Sequence, residues 1–296
     1  MRKILLTGKN GQVGWELQRT LSPLGRVLAY DRQILDLQDP HAISQLIRKL
    51  KPDVIVNAAA YTAVDQAESD QAAAHAINSI APGVMAEEAK KCGALFVHYS
   101  TDYVFNGSNT HPYQEDDVPA PLNWYGKTKW EGERAIQQVS GKHLILRTSW
   151  VYGARGKNFL LTMLRLGKER DLLKIVDDQI GAPTWSRSIA EATAQMVSQS
   201  LSPLNQPKMW GTYHMTAEGH TSWFGFAKEI FHLYEKAHKG AKSPQLQPIE
   251  TREYPTPAKR PHYSLLSNQK LKNQFQLGIP HWKEDLHLCM EPLHFH

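Results

Sequence analysis

The stretch Thr7-Gly8-Lys9-Asn10-Gly11-Gln12-Val13-Gly14 is a Gly-x-x-Gly-x-x-Gly loop between an apolar run, Ile4 to Thr7, and a helical pattern, Trp15-Glu16-Leu17-Gln18. Each glycine in such a loop has a task. One permits the tight turn, one lets the backbone approach a pyrophosphate, and one allows close helix–strand packing. The helix start adds free N–H groups and a positive dipole end. Gly8, Asn10, Gly11, Gln12, Val13 and Gly14 are therefore candidates for holding a dinucleotide. The competing reading, an ordinary glycine turn, is weighed against the strand–helix rhythm of the next 140 or so residues.

Four more β-rich runs mark that rhythm: Val27 to Asp31, Asp53 to Ala60, Leu95 to Ser100 and Leu144 to Ser149. They are continuously apolar rather than alternating, which marks strands buried on both faces. Helical segments such as Ala42 to Leu50 and Ser79 to Cys92 separate them. The repetition predicts an α/β fold with a Rossmann-like, doubly wound parallel sheet. After residue 150 the rhythm changes. Helices are expected at Asn158 to Glu169, Ser188 to Ser200 and Trp223 to Lys239, and strands at Leu172 to Val176 and Gly211 to Met215. Ser202 to Pro207 reads as a polar loop, and prolines crowd Gly240 to Pro261. Residues 1–150 are thus expected to form the dinucleotide-binding domain, with segments from about 174–200 crossing back to it, and residues 151–296 to form mainly a smaller, C-terminal substrate-binding domain.

Composition narrows the class. The 296 residues carry a formal charge of +5, scattered without a dense basic tract, so no nucleic-acid partner is expected. No stretch approaches the roughly 20 apolar residues of a membrane span, and the N-terminal run is too short for a signal peptide. The two cysteines make no disulfide framework, and a cytoplasmic protein is expected. The fourteen histidines occur mostly singly, without His-Glu-x-x-His, and no metal site is expected among them.

Asp31 ends the second run, where a carboxylate can take the adenosine ribose, and Arg32 stands next to it. The carboxylate favours a free 2′-hydroxyl and the arginine a 2′-phosphate, so NADPH and NADH both stay open. Tyr125-Gly126-Lys127-Thr128-Lys129 contains Tyr-x-x-x-Lys, which puts both side chains on one face of a helix. A phenol titrates near pH 10 and needs a nearby cation to serve as an acid–base group at neutral pH. Lys129 can supply that cation and Tyr125 the proton, while Thr101, at the end of the fourth run, can hydrogen-bond a substrate carbonyl. Strand carboxyl ends are where such sheets bind ligands.

These blocks carry a resemblance. Gly8 to Gly14, Val56 to Asp65, His98 to Phe105, Tyr125 to Lys129 and Arg147 to Tyr152 resemble the extended short-chain dehydrogenase/reductase family. Asp178-Gln179-Ile180-Gly181-Ala182-Pro183-Thr184 and Tyr254-Pro255-Thr256-Pro257-Ala258-Lys259-Arg260-Pro261 are similar to the narrower dTDP-4-dehydrorhamnose reductase family. The resemblance implies NAD(P)H-dependent reduction of the 4-keto group of a dTDP-linked deoxysugar, for rhamnose-containing polysaccharide, and is compatible with a homodimer. It also implies site residues. Gly11, Gln12 and Val13 would wrap the pyrophosphate, and Asp36 and Leu37 would lie by the adenine. Ala59, Ala60, Tyr61, Thr62 and Tyr99 would line the cofactor. Thr101, Tyr125 and Lys129 would be catalytic, and Asp102 and Trp150 would hold the sugar. Arg260 is the candidate for the substrate diphosphate, because its fork matches phosphate geometry.

Some members of the family resemble one another in binding Mg²⁺ between subunits through glutamates. Glu16 and Glu291 fit that pattern, but Arg187 stands at the remaining position and cannot ligate a cation, so no metal is predicted. Two other readings share the fold. Nucleotide-sugar 4,6-dehydratases carry Thr-Asp-Glu, whereas here Tyr103 comes after Thr101-Asp102, and epimerases retain their nicotinamide. A non-catalytic chain similar to the regulatory β subunit of methionine adenosyltransferase would not need an intact Thr/Tyr/Lys set, and all three are present here.

Overall fold

The computed structural model describes residues 1–202, 209–238, 240, 242–291 and 293. Its main sheet consists of β1 (Lys3–Thr7), β2 (Arg26–Tyr30), β3 (Val54–Asn57), β4 (Leu95–Thr101), β5 (His143–Thr148) and β6 (Gly211–His214). The strand order is β2-β1-β3-β4-β5-β6, and every pairing is parallel.

Side chains along each strand point alternately to the two faces. Leu5, Ile55, Phe96 and Ile145 pack with Ile43, Ile47 and Met85 from helices Pro40–Leu50 and Ala81–Cys92. Ile4, Leu6, Val56, Val97 and Leu146 belong to the opposite core, with Leu17 of helix Gln12–Thr20 and Ile189 and Val197 of helix Ser186–Ser200. Both faces are covered, which is why the strands read as unbroken apolar runs. Each such side chain contributes about 1.5–3 kcal/mol by leaving water. The chain runs from β1 outward to β2, then returns to lay β3 on the other side of β1. A crevice is left where the winding reverses, at the carboxyl ends of β1 and β3.

The second half builds onto the face that carries Leu17. Tyr152, Leu160, Phe226 and Trp282 continue the same core. The return to the sheet differs from the expected 174–200. Leu172–Val176 pairs instead with Gln245–Ile249, outside the main sheet, and alternates exposed and buried residues because one face alone is covered. The return begins at helix Ser186–Ser200, where Thr20 Oγ1 donates to Ala190 O at 3.0 Å, and continues through β6. Residues 203–207 of the expected polar loop, and Lys239 at the end of the helix expected over 223–239, lie outside the described residues. Among the described residues no helix is long and apolar enough to cross a membrane.

Candidate active site

The glycine loop has the geometry its spacing requires. Gly8 has φ +75°, and a Cβ there would sit 2.7 Å from the Ala58 carbonyl and the Ala59 nitrogen. A Cβ on Gly14 would run into the Gly8 carbonyl oxygen, so Gly14 lies beneath the loop as the helix–strand contact. Helix Gln12–Thr20 starts after Gly11 with no side-chain cap and no acidic residue in its first turn. Its leading N–H groups are thus left for an anion.

A cleft of about 560 Å³ opens in front of that helix along the carboxyl ends of the strands. It is lined by Gly8, Asn10, Gly11, Gln12, Val13, Asp31, Arg32, Leu37, Ala59, Ala60, Thr62, Tyr99, Tyr125 and Lys129, all singled out from the sequence. Thr7, Tyr30, Leu35, Ala58, Ser100, Thr148, Val151, Gly156 and Lys157 also line it, beyond the residues expected from the sequence. Ser100 and Thr148 end apolar runs, a signal that could have found them. Gly156 and Lys157 come from the second half and carry no local signal. Two implied residues lie elsewhere. The Asp36 carboxylate accepts from Gln38 N at 3.0 Å, closing a local turn. Tyr61 donates its hydroxyl to Asp70 at 3.0 Å and its N–H to Asn78 Oδ1 at 2.9 Å.

At the adenosine end, Lys9 Nζ lies 3.1 Å from Asp31, and Asn10 Nδ2 donates to the same carboxylate at 3.2 Å. The Lys9 hydrogen bond, with its charge and the Gln33 and Asn10 bonds, holds the Asp31 carboxyl below its ordinary range against some burial. Arg32 is exposed at the rim.

At the other end lies the expected catalytic constellation. Thr101 closes β4, and its Oγ1 donates to Asp102 Oδ1 at 3.0 Å and accepts the Tyr103 N–H at 3.2 Å. Helix Trp124–Val139 is started by Asn123, whose Oδ1 accepts from Gly126 N at 2.8 Å. Gly126 packs on the Tyr103 carbonyl, bringing the first helical turn against the end of β4. Tyr125 stands near the Thr101 hydroxyl, which favours its ionised form. Burial raises the phenol to about 12; Thr101 pulls it down and the Asp102 charge pushes it up. Burial draws Lys129 down to about 8, with Glu133 opposing. Lys129, expected to serve Tyr125 as its cation, is engaged elsewhere. In the structure Nζ donates to Tyr99 O at 2.6 Å and lies 3.1 Å from His98 Nε2. A buried amine takes the acceptors within reach. Asp102 is raised to about 6 by burial, which the nearby Ser264 hydroxyl and the Thr101 bond partly offset, and its Oδ2 is buried without a protein partner.

These surroundings fit a dinucleotide and a sugar. The glycine cradle would be filled by any side chain. Ser100 Oγ and Thr148 Oγ1 are buried at the cleft without a protein partner, polar atoms that a ligand could satisfy.

Trp150 and Arg260 are placed differently from their implied roles. The Trp150 indole stacks on Trp223, with centroids 3.5 Å apart and planes 5° from parallel. A Cβ on Gly181 would lie 2.6 Å from the same ring. Its flat surface is packed against protein, leaving the ring edge as the part a sugar could meet. Arg260 forks onto Asp65 at 2.7 and 3.1 Å and also donates to Ala258 O at 3.1 Å. Beside it Asn123, which starts the Tyr125 helix, donates to Lys259 O at 2.7 Å, and the Tyr103 ring meets Tyr125 edge-on at 5.9 Å. Arg260 therefore ties the C-terminal segment to the catalytic end. Arg187 pairs with Glu191 at 2.9 Å on its own helix.

Comparison with known proteins agrees with this geometry. A protein named dTDP-4-dehydrorhamnose reductase from Burkholderia thailandensis is 50% identical over 295 residues, covering 98% of this chain and 99% of that one. One of the same name from Escherichia coli K12 is 46% identical over 284 residues, 95% of this chain and 94% of that one. The crystal structure of dTDP-4-dehydrorhamnose reductase from Bacillus anthracis, in complex with NADP, superposes with a TM-score of 0.89 at 37% identity, covering 98% of each chain. The family model for the RmlD substrate binding domain matches residues 1–295, and the chain belongs to that family.

Proposed function

We propose that this protein reduces the 4-keto group of dTDP-4-dehydro-L-rhamnose to give dTDP-L-rhamnose, using NADPH or NADH. The observation that supports the reading is a glycine-cradled cleft with Tyr125 and Lys129 in its lining and Thr101 next to its lining residue Ser100. The relatives of about half-identical sequence bear the matching name. The dTDP-sugar is the small-molecule partner, and a cytoplasmic site of action belongs to the same proposal.

A bound dinucleotide would supply the hydride. Gly11, Gln12 and Val13 would hold its diphosphate at the uncapped helix start, and Asp31 with Arg32 would meet the adenosine ribose. Lys129 would hold the other ribose. Thr101 Oγ1 is placed to donate to the C4 oxygen in exchange for its bond to Asp102. Tyr125, protonated at neutral pH because its phenol is raised to about 12, gives its proton to the same oxygen as charge develops there. Asp102 and the edge of Trp150 are proposed to contact the sugar. Arg260 is proposed to hold the segment over the catalytic end through Asp65.

The test is turnover of dTDP-4-dehydro-L-rhamnose with NADPH and NADH side by side. The proposal expects stoichiometric loss of reduced-coenzyme absorbance. Conversion of the sugar without coenzyme consumption would mark an isomerising enzyme instead.

A further inference from the structure

Four buried side chains run in line from the cleft to Lys129. Thr7 ends β1, Asn57 ends β3, His98 lies in β4 and Lys129 on helix Trp124–Val139, and none is more than 2% exposed. Thr7 Oγ1 donates to Asn57 Oδ1 at 2.6 Å, and the Ala59 N–H donates to the same oxygen at 3.3 Å. A backbone N–H only donates, so the amide oxygen faces Ala59 and the amide nitrogen faces His98. Asn57 Nδ2 then donates to His98 Nδ1 at 3.1 Å, which makes Nδ1 an acceptor. A neutral imidazole in that position carries its proton on Nε2. This N–H meets Lys129 Nζ at 3.1 Å. An ammonium has no lone pair to accept it; a neutral amine has one. The second contact of Nζ, Tyr99 O at 2.6 Å, takes a proton from either form.

We propose that Asn57 and His98 are positioning residues that fix the imidazole tautomer and thereby select the neutral amine of Lys129 while the cleft holds no coenzyme. Converting Lys129 to the ammonium requires Nε2 to become an acceptor. The Asn57 amide would then have to turn its nitrogen toward the Ala59 N–H. That opposition adds to burial, which already draws Lys129 downward. His98 is itself no competing cation, because burial holds it well below the ordinary imidazole range. Tyr125 and Glu133 share its helix, and Glu133 is paired with Arg147 of β5 at 2.6 Å. The Tyr99 hydroxyl is turned to Thr193 at 2.6 Å. With the ammonium as the form that holds the nicotinamide ribose, coenzyme binding above the Lys129 ionisation takes up a proton, and affinity falls as pH rises.

The affinity consequence rests on the dinucleotide reading of the cleft; the tautomer does not. The experiment is ¹⁵N NMR of the full chain labelled at histidine nitrogens, without ligand, with His98 assigned by its loss in His98→Gln. Above the Lys129 ionisation the expected spectrum has Nε2 protonated and Nδ1 unprotonated. Asn57→Asp keeps an oxygen toward Thr7 and Ala59 and presents a second one to His98. It should move the proton to Nδ1 and shift the alkaline fall in NADPH affinity upward by about one pH unit or more. Asn57→Ala, which removes the donor without adding charge, should shift it in the same direction. Wild-type His98 protonated on Nδ1, or on both nitrogens, would overturn the proposal, and this holds even where a variant does not fold. So would a switched tautomer with an unmoved pH limb. Absence of any NADPH binding would refute the dinucleotide reading while the tautomer still decides the hydrogen-bond line.

Discussion

Trp150 and Trp223 lie ring on ring, 3.5 Å between centroids, and the Phe159 ring packs tilted on Trp223 at 4.7 Å. The stack joins the end of β5 to a helix of the second half, and Trp150 adopts φ +47°, a conformation few side chains accept. Packing holds it there. Trp150→Ala should therefore cost about 3 kcal/mol or more and lower Tm by roughly 5–10 °C. Trp150→Ala with Trp223→Ala should lose less than the sum of the two, because they share one contact. Calorimetry on the three variants checks this. An unchanged Tm in Trp150→Ala, with sugar turnover lost, would show instead that the indole serves the ligand alone.

Tyr125→Phe removes one oxygen from a site whose shape is set by Gly126, Tyr103 and Thr101. Turnover should fall by about 10²–10⁴-fold, the usual contribution of a general acid. NADPH affinity and Tm should stay near wild type. A variant within a few-fold of wild-type turnover would remove Tyr125 from the chemistry.

The Lys9–Asp31 pair bears on coenzyme choice. With Lys9 and Asn10 already on its carboxylate, Asp31 repels a 2′-phosphate less than a free aspartate would, and Arg32 stands beside it. The wild type should accept both coenzymes. Arg32→Ala should weaken NADPH far more than NADH, because NADPH alone carries the 2′-phosphate. Equal losses for the two, measured as Kd, would show that Arg32 does not face the ribose.

The strands and the glycine loop were legible because their cause is local. A strand covered on both faces must be apolar throughout, and Gly8 and Gly14 stand where no Cβ fits. Tyr125 and Lys129 were legible because helical spacing alone puts them together. The engagement of Lys129 with His98 and Asn57 was not, since it joins residues 31 and 41 positions apart on separate strands and a helix. The Trp150 stack and the Arg260–Asp65 fork likewise depend on how distant segments pack. The return of Gly211–His214 to the sheet edge was hidden for the same reason: a short run reads alike in either half.

Asp102 gives stability a pH signature. Its carboxyl is raised to about 6 by burial, above its value in the unfolded chain. The folded state binds that proton more tightly, so this contribution is full at acid pH and is lost as pH rises through about 6. Asp102→Asn should be the more stable protein at neutral pH, by an amount on the order of 3 kcal/mol at most, and the difference should shrink on acidification. Denaturant titrations of both proteins across that range check it. A difference that does not change with pH would mean Asp102 titrates as an exposed aspartate does.

In the proposed reaction, hydride arrives at C4 of the sugar while Tyr125 protonates the C4 oxygen. The most direct measurement is turnover of dTDP-4-dehydro-L-rhamnose with NADPH deuterated at the transferred position, with NMR of the product. The expected result is dTDP-L-rhamnose with deuterium at C4, one equivalent per NADPH consumed, and no such product from Tyr125→Phe on the same time scale. Deuterium retained on the coenzyme, or incorporated at any other carbon, would contradict it.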